Sequence, residues 1–165
     1  MAQAYIGLGS NLGNSLITLK QALERLKQNP KTEVIKTSSF YKTAPVGYKE
    51  QDDFVNAVAL IETSLTPIEF LDYLLDLEQE FKRVRLFKNG PRTLDLDLLL
   101  YDNLIMDTSK LTLPHPRMCE RAFVLIPLNE IAPSLIIPKS GRSVNSFYAS
   151  LGDADFKDVR LLEHA

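Results

Sequence analysis

The sequence predicts an α+β fold: an antiparallel sheet with helices packed mainly on one face and an irregular C-terminal extension. Three observations carry this. Short runs are rich in β-branched residues or alternate apolar with polar, as half-buried strands do. Two longer segments repeat apolar residues at steps of three and four, the spacing of one helix face. These elements follow the order strand–helix–strand, strand–helix–strand, then a proline-broken tail, which is the ferredoxin-like arrangement of two split βαβ units.

Ala4–Leu8 is a short apolar run ending in glycines and reads as the first strand; Gly9–Asn14 reads as a turn. From Ser15, Leu16, Leu19, Leu23 and Leu26 mark one helix face, and Pro30 ends the helix. Glu33–Thr43 is the second strand, Ala44–Asp53 a long polar loop, and Phe54–Thr63 the third strand. Thr66-Pro67-Ile68-Glu69 is a helix start, with Thr66 and Glu69 as a capping box and Pro67 at the first helical position. Leu71, Leu74, Leu75 and Glu78 share a stripe of that helix; Glu78 is either at the exposed edge of the stripe or functional. Lys82–Arg92 is expected to be a second long loop, followed by a strand over Leu94–Leu100. Leu113-Pro114-His115-Pro116 leads into a short helix. Pro127, Pro133 and Pro138 interrupt the chain beyond it, Ser143–Leu151 is a further helix and Val159–Leu162 a last strand.

The 165 residues, 45% hydrophobic and 24% charged with a net charge of −2, suit a single domain over 1–165 and give no bulk attraction to nucleic acid or an anionic membrane. The lone Cys119 excludes an intrachain disulfide and a cysteine metal cluster. The N-terminal segment has no basic region and too short an apolar run for a signal peptide, and nothing approaches the ~20 apolar residues of a membrane span. A cytoplasmic monomer is the expectation.

The alternation Leu94-Asp95-Leu96-Asp97-Leu98-Leu99-Leu100 is the most informative stretch. It places Leu94, Leu96, Leu98 and Leu100 on one face, and Asp95 and Asp97 on the other beside Thr93 and Leu99. Same-face neighbours lie about 6.6 Å apart along a strand. Spacing alone leaves two readings open, a solvated acidic face or a Mg²⁺ site, since Mg²⁺ is commonly held by one or two carboxylates with water and phosphate. Arg83, Arg85 and Arg92 precede the pair; His115, Arg117 and Arg121 come after it. Carboxylates with converging arginines fit a polyphosphate site, where catalysis is positioning and charge neutralisation. Other motifs are weak. Gly7-x-Gly9-x-x-x-Gly13 misses the dinucleotide spacing and lacks a P-loop lysine, so tight-turn geometry is its expected role. Arg121–Val124 resembles only the middle of an RNA-binding motif, and His115 and His164 have no zinc-ligand spacing.

Tyr5–Asn11, Ser38–Tyr41, Phe54-x-Asn56-Ala57, Arg83-Val84-Arg85, Gly90-Pro91-Arg92-Thr93-Leu94-Asp95-Leu96-Asp97 and Leu113–Pro116 with Arg121-x-Phe123 resemble the 6-hydroxymethyl-7,8-dihydropterin pyrophosphokinases of folate biosynthesis, over roughly residues 4–138. The resemblance implies transfer of the diphosphate of ATP to the pterin hydroxymethyl group, releasing AMP, with two Mg²⁺ ions at Asp95 and Asp97. It implies that Arg83 and Arg92 engage the phosphates. It implies ATP contacts from Leu71, Glu78, Arg85, Arg92, Leu98, Thr112, His115 and Arg121, and pterin contacts from Thr43, Pro45, Val46, Phe54, Asn56 and Phe123. ATP and the pterin are then the partners, with no nucleic acid or membrane. The chain departs from the family pattern at Phe54 (often Tyr), Ala44 (often Pro), Asn89 (often an aromatic) and Pro116 (often Tyr), so stacking at 89 and 116 is not carried over. A kinase moving only the γ-phosphate, and a ligand-binding module without chemistry, are the competing readings.

Overall fold

The computed structural model of the protein describes residues 1–11, 14–44, 53–86 and 94–164, the side chains of 83–86 excepted. Its elements run β1 (Ala2–Ser10), α1 (Ser15–Lys27), β2 (Thr32–Thr37), β3 (Phe40–Thr43), β4 (Phe54–Thr63), α2 (Pro67–Leu86), β5 (Asp95–Tyr101), β6 (Met106–Asp107), β7 (Thr112–Leu113), a 3₁₀ turn (Met118–Glu120), α3 (Ala122–Ile131), β8 (Ile136–Ile137), β9 (Arg142–Ser143), α4 (Val144–Tyr148), α5 (Asp153–Asp158) and β10 (Val159–Glu163). The main sheet has the order β10-β3-β4-β1-β5, with β2 also paired to β4, and its pairings are antiparallel. The α+β class with an antiparallel sheet is as expected.

The two long helices lie on one face. Ile6, Leu8, Leu19, Leu26, Phe70 and Leu74 close that layer, and Arg25 ties α1 to α2 by a two-pronged pair with Glu80 at 2.7 and 2.8 Å. The Thr66/Glu69 capping box forms: the Glu69 amide donates to Thr66 Oγ1 at 3.2 Å, and the Thr66 amide to Glu69 Oε1 at 2.9 Å. On the opposite face, α3 packs Val124 and Leu128 against Tyr5, Val58, Leu60 and Leu99. Among the described residues this covers only part of that face and leaves Gly7, Gly9, Asp95 and Asp97 of β1 and β5 to line a cleft.

Five local features differ from the sequence expectation, each for a physical reason. The register of β5 on β1 passes from Tyr5↔Leu100 to Ile6↔Leu98, so Leu99 is a bulge residue. The alternation flips there: Leu94, Leu96 and Leu98 join the helix-side core, whereas Leu100 packs with Leu99 on the other side. The expected strand 33–43 is two strands, because Ser38 breaks the ladder: its hydroxyl donates to the Ser39 carbonyl at 2.8 Å and accepts the Val58 amide at 2.9 Å. Helix α2 runs on through Leu86, into the expected loop 82–92, since Lys82, Arg83 and Arg85 are good helix formers and no Gly or Pro intervenes before Gly90. Pro127 lies inside α3 rather than breaking it. An interior proline costs about 3 kcal/mol, and the burial of Val124, Leu125, Ile126 and Leu128 around it outweighs that. Finally, Gly7 and Gly9 belong to β1 and not to a turn.

Candidate active site

The bare part of the second face is organised by strand register. Tyr41 on β3 lies opposite Asn56 on β4, Asn56 opposite Gly9 on β1, and Gly9 opposite Asp95 on β5. One strand step along, Val58, Gly7 and Asp97 form a second row. Strands are about 4.8 Å apart, so Asn56 and Asp95 stand about 10 Å apart across a glycine. Gly7 and Gly9 leave the floor between them without side chains. At Gly9 the absence of a Cβ is required: an added one would sit 2.9 Å from Asn56 Nδ2.

This floor is the bottom of a cleft of about 540 Å³. Thr43, Phe54 and Asn56 line one end, Asp95 and Asp97 the other, with Arg121 and Phe123 from the start of α3 along the side. Asn56 is 7% exposed and Thr43 5%, yet Asn56 Oδ1 and Thr43 Oγ1 have no hydrogen-bond partner among the described residues. A buried polar atom left unsatisfied costs about 1–3 kcal/mol. Two such atoms lining one cleft suit a polar ligand. Arg121 stands 5.5 Å from the Phe123 ring centroid and its Nη1 3.9 Å from Asp97 Oδ2.

Negative charge gathers at the β5 end. Glu78 Oε2 accepts the Leu96 amide at 2.7 Å, between the two aspartates. Burial raises the Glu78 pKa above the ordinary carboxylate range; the bond from Leu96 opposes this, and the charges of Asp95 and Asp97 add to it. His115 is held by its own amide, which donates to the Leu99 carbonyl at 2.9 Å, and its Nδ1 accepts the Arg117 amide at 3.2 Å. Burial lowers the His115 pKa; Asp97 pulls it back up, and Arg121 and Arg117 push it further down.

Of the residues singled out in the sequence, Thr43, Phe54, Asn56, Asp95, Asp97, Arg121 and Phe123 therefore share one cleft. Glu78 and His115 adjoin its acidic end. Leu71 and Leu98 pack into the helix-side core, and Thr112 pairs with Asp107 in the β6–β7 hairpin. Pro45, Val46 and Arg92, and the side chains of Arg83 and Arg85, lie outside the described residues. Gly7, Gly9, Glu120, Asp155 and Asp158 also line the cleft and were not among the expected site residues. The glycine pair carried a signal, two glycines at strand spacing before the first helix. Asp155 and Asp158 reach the cleft only because β10 pairs with β3, which no local pattern announces.

No group of three metal-ligating side chains occurs among the described residues. The donor set nevertheless fits Mg²⁺: two carboxylates on one strand face, backed by the raised Glu78, with room for the waters and phosphate oxygens this ion retains. No helix among the described residues is long and apolar enough to cross a membrane.

Residues 5–133 match the family described as 7,8-dihydro-6-hydroxymethylpterin-pyrophosphokinase (HPPK). A 2-amino-4-hydroxy-6-hydroxymethyldihydropteridine pyrophosphokinase of Haemophilus influenzae is 51% identical over 140 residues, covering 85% of this chain and 88% of that protein. The enzyme of the same description from Bacillus subtilis is 48% identical over 128 residues, covering 78% and 77%. A crystal structure described as HPPK-DHPS in complex with substrates shares the fold, with a TM-score of 0.78 at 15% identity over 98% of this chain; the chain spans 46% of that longer one. The chain belongs to the HPPK family and is a pyrophosphokinase of folate synthesis.

Proposed function

We propose that this cleft transfers the diphosphate of ATP to 6-hydroxymethyl-7,8-dihydropterin, giving AMP and the pterin diphosphate. The observation that supports it most is the row Tyr41–Asn56–Gly9–Asp95 with Asp97 in the next row: it sets an amide oxygen that has no partner among the described residues and a carboxylate pair at opposite ends of a glycine floor. Asn56 presents both an acceptor and donors, and matches the mixed amide edge of a pterin. Thr43 Oγ1 lies at the same end of the cleft. Phe123 and Phe54 supply ring faces, worth about 0.5–1.5 kcal/mol per aromatic pair beyond burial. The hydroxymethyl group then projects along the floor toward β5.

In the reaction the pterin hydroxyl oxygen forms a bond to the β-phosphorus. The bond from that phosphorus to the oxygen bridging the α-phosphate breaks, that oxygen leaves on AMP, and the hydroxyl proton passes to solvent. Asp95 and Asp97 would hold two Mg²⁺ ions, which supply charge neutralisation along the triphosphate and acidify a hydroxyl bound to them. Arg121, 3.9 Å from Asp97 without ligand, exchanges that weak pair for a phosphate oxygen, a charge-assisted bond. Neutral His115 offers Nε2–H as a donor at the same end, its Nδ1 being occupied by the Arg117 amide. Arg83, Arg85 and Arg92 are proposed from the family pattern to complete the phosphate clamp.

Calorimetric titration tests this reading. Binding of ATP should require Mg²⁺, and the pterin should bind the protein loaded with Mg²⁺ and a non-hydrolysable ATP analogue. ATP binding of equal strength in EDTA would overturn the assignment of Asp95 and Asp97.

A further inference from the structure

We infer that Glu130, outside the cleft, is a positioning residue that sets the slot between the Phe123 ring and the sheet and thereby governs pterin affinity. The inference rests on the functional reading above.

Glu130 is a surface residue near the end of α3, and both its carboxylate oxygens are engaged. They accept the Ser39 amide at 2.9 and 3.1 Å, the Ser39 hydroxyl at 2.8 Å and the Tyr41 hydroxyl at 2.7 Å. Ser39 is 2% exposed. It sits at the break between β2 and β3, where its amide has left the ladder. Burial, and then the bond to Glu130, raise the pKa of Tyr41, so its hydroxyl stays a donor.

What this clamp joins gives it a role. Tyr41 is the register partner of Asn56, the amide at the pterin end of the floor. Glu130 comes seven residues after Phe123 on one helix, two turns at 3.6 residues each, so both lie on the same side of α3. The clamp therefore fixes the helix that carries the stacking ring to the row that carries the recognising amide. Pro127 lies between the two anchor points and removes the amide that would bond the Phe123 carbonyl within the helix. The first turn of α3 thus lacks one bond to the second, and its height over the floor is set by the packing of Val124 on the sheet together with anchors such as the Glu130 clamp. A planar ligand stacked on one side and hydrogen-bonded at its edge tolerates little error in that spacing. The acidic end of the cleft, on β5, is attached to neither Ser39 nor Tyr41.

The test is calorimetry with 6-hydroxymethyl-7,8-dihydropterin on protein loaded with Mg²⁺ and a non-hydrolysable ATP analogue, alongside titration of the analogue itself. Glu130→Ala should raise the pterin Kd tenfold or more, with the analogue Kd within twofold of wild type and kcat at saturating pterin within threefold. Glu130→Gln, which keeps an acceptor oxygen, should recover part of the affinity. Tyr41→Phe, which removes one bond, should raise the pterin Kd about threefold and carries the test if Glu130→Ala does not fold. Tyr73→Phe, which deletes a comparable bond to the Arg25 carbonyl between α1 and α2, should leave pterin binding unchanged. Pterin affinity within twofold of wild type in Glu130→Ala, equal losses for both ligands, or an equal loss in Tyr73→Phe overturns the inference alone. A wild-type protein that binds no pterin overturns the functional reading, and this inference with it.

Discussion

Replacing Gly9 by Ala is the sharpest perturbation of the floor. The new Cβ would lie 2.9 Å from Asn56 Nδ2, closer than carbon and nitrogen tolerate, and the amide, as the end of a side chain, must give way. Strand stability should barely suffer. Ala gains about 0.5–1 kcal/mol over Gly in a strand interior, which offsets the crowding, so the melting temperature should move by no more than about 4 °C. The recognising amide, however, is turned from its ligand. Leaving buried partners unsatisfied costs about 1–3 kcal/mol, which corresponds to a loss of about five- to 150-fold in pterin affinity. Gly7→Ala is the internal comparison: its Cβ would meet Leu99 methyls at 3.8 Å and Asp97 Cβ at 4.0 Å, ordinary contacts, and should cost less than about threefold. Fluorescence or calorimetric titration of both variants, with thermal melts, decides the matter. Wild-type pterin affinity in Gly9→Ala would refute the assignment of Asn56, and equal losses in the two variants would show that floor space alone is being read.

Asp95→Asn and Asp97→Asn should each leave the melt near that of wild type, because both side chains lie off the buried leucine face, while steady-state turnover falls below about a tenth, at least ~1.4 kcal/mol of barrier. Phe123→Ala should weaken pterin binding more than nucleotide binding by calorimetry; equal losses would mark the ring as a packing residue of α3. Burial holds the His115 pKa below its ordinary 6.5, so below that pH the unfolded chain binds a proton that the folded one resists; stability present above 6.5 is lost as pH falls through the lowered value. Melts between pH 7.5 and 5.5 should therefore drop more for wild type than for His115→Gln.

Much of the site was legible because it obeys strand periodicity. Asp95 and Asp97 stand off the leucine face, and Phe54 and Asn56 share the side of β4 that faces them, as alternation requires. The alternation misled at Leu100, where the bulge at Leu99 inserts one residue, and a bulge is set by the partner strand rather than by its own sequence. Gly7 and Gly9 were visible as glycines, but a turn and a bare strand face use the same residue for different reasons: backbone freedom in one, absence of Cβ in the other. Ser38 and Ser39 could have been read as competitors of the ladder, yet their partners, Val58 and Glu130, lie 20 and 91 residues away. Asp155 and Asp158 are brought to the cleft by the pairing of β10 with β3, a contact whose sequence separation hides it from any local pattern.

The most direct measurement is the identity of the nucleotide product. Protein incubated with Mg²⁺, ATP and 6-hydroxymethyl-7,8-dihydropterin, then examined by phosphorus NMR, should show one AMP for each pterin diphosphate formed and no stoichiometric ADP. ADP appearing in step with a pterin monophosphate would contradict attack at the β-phosphorus and replace it with γ-phosphoryl transfer.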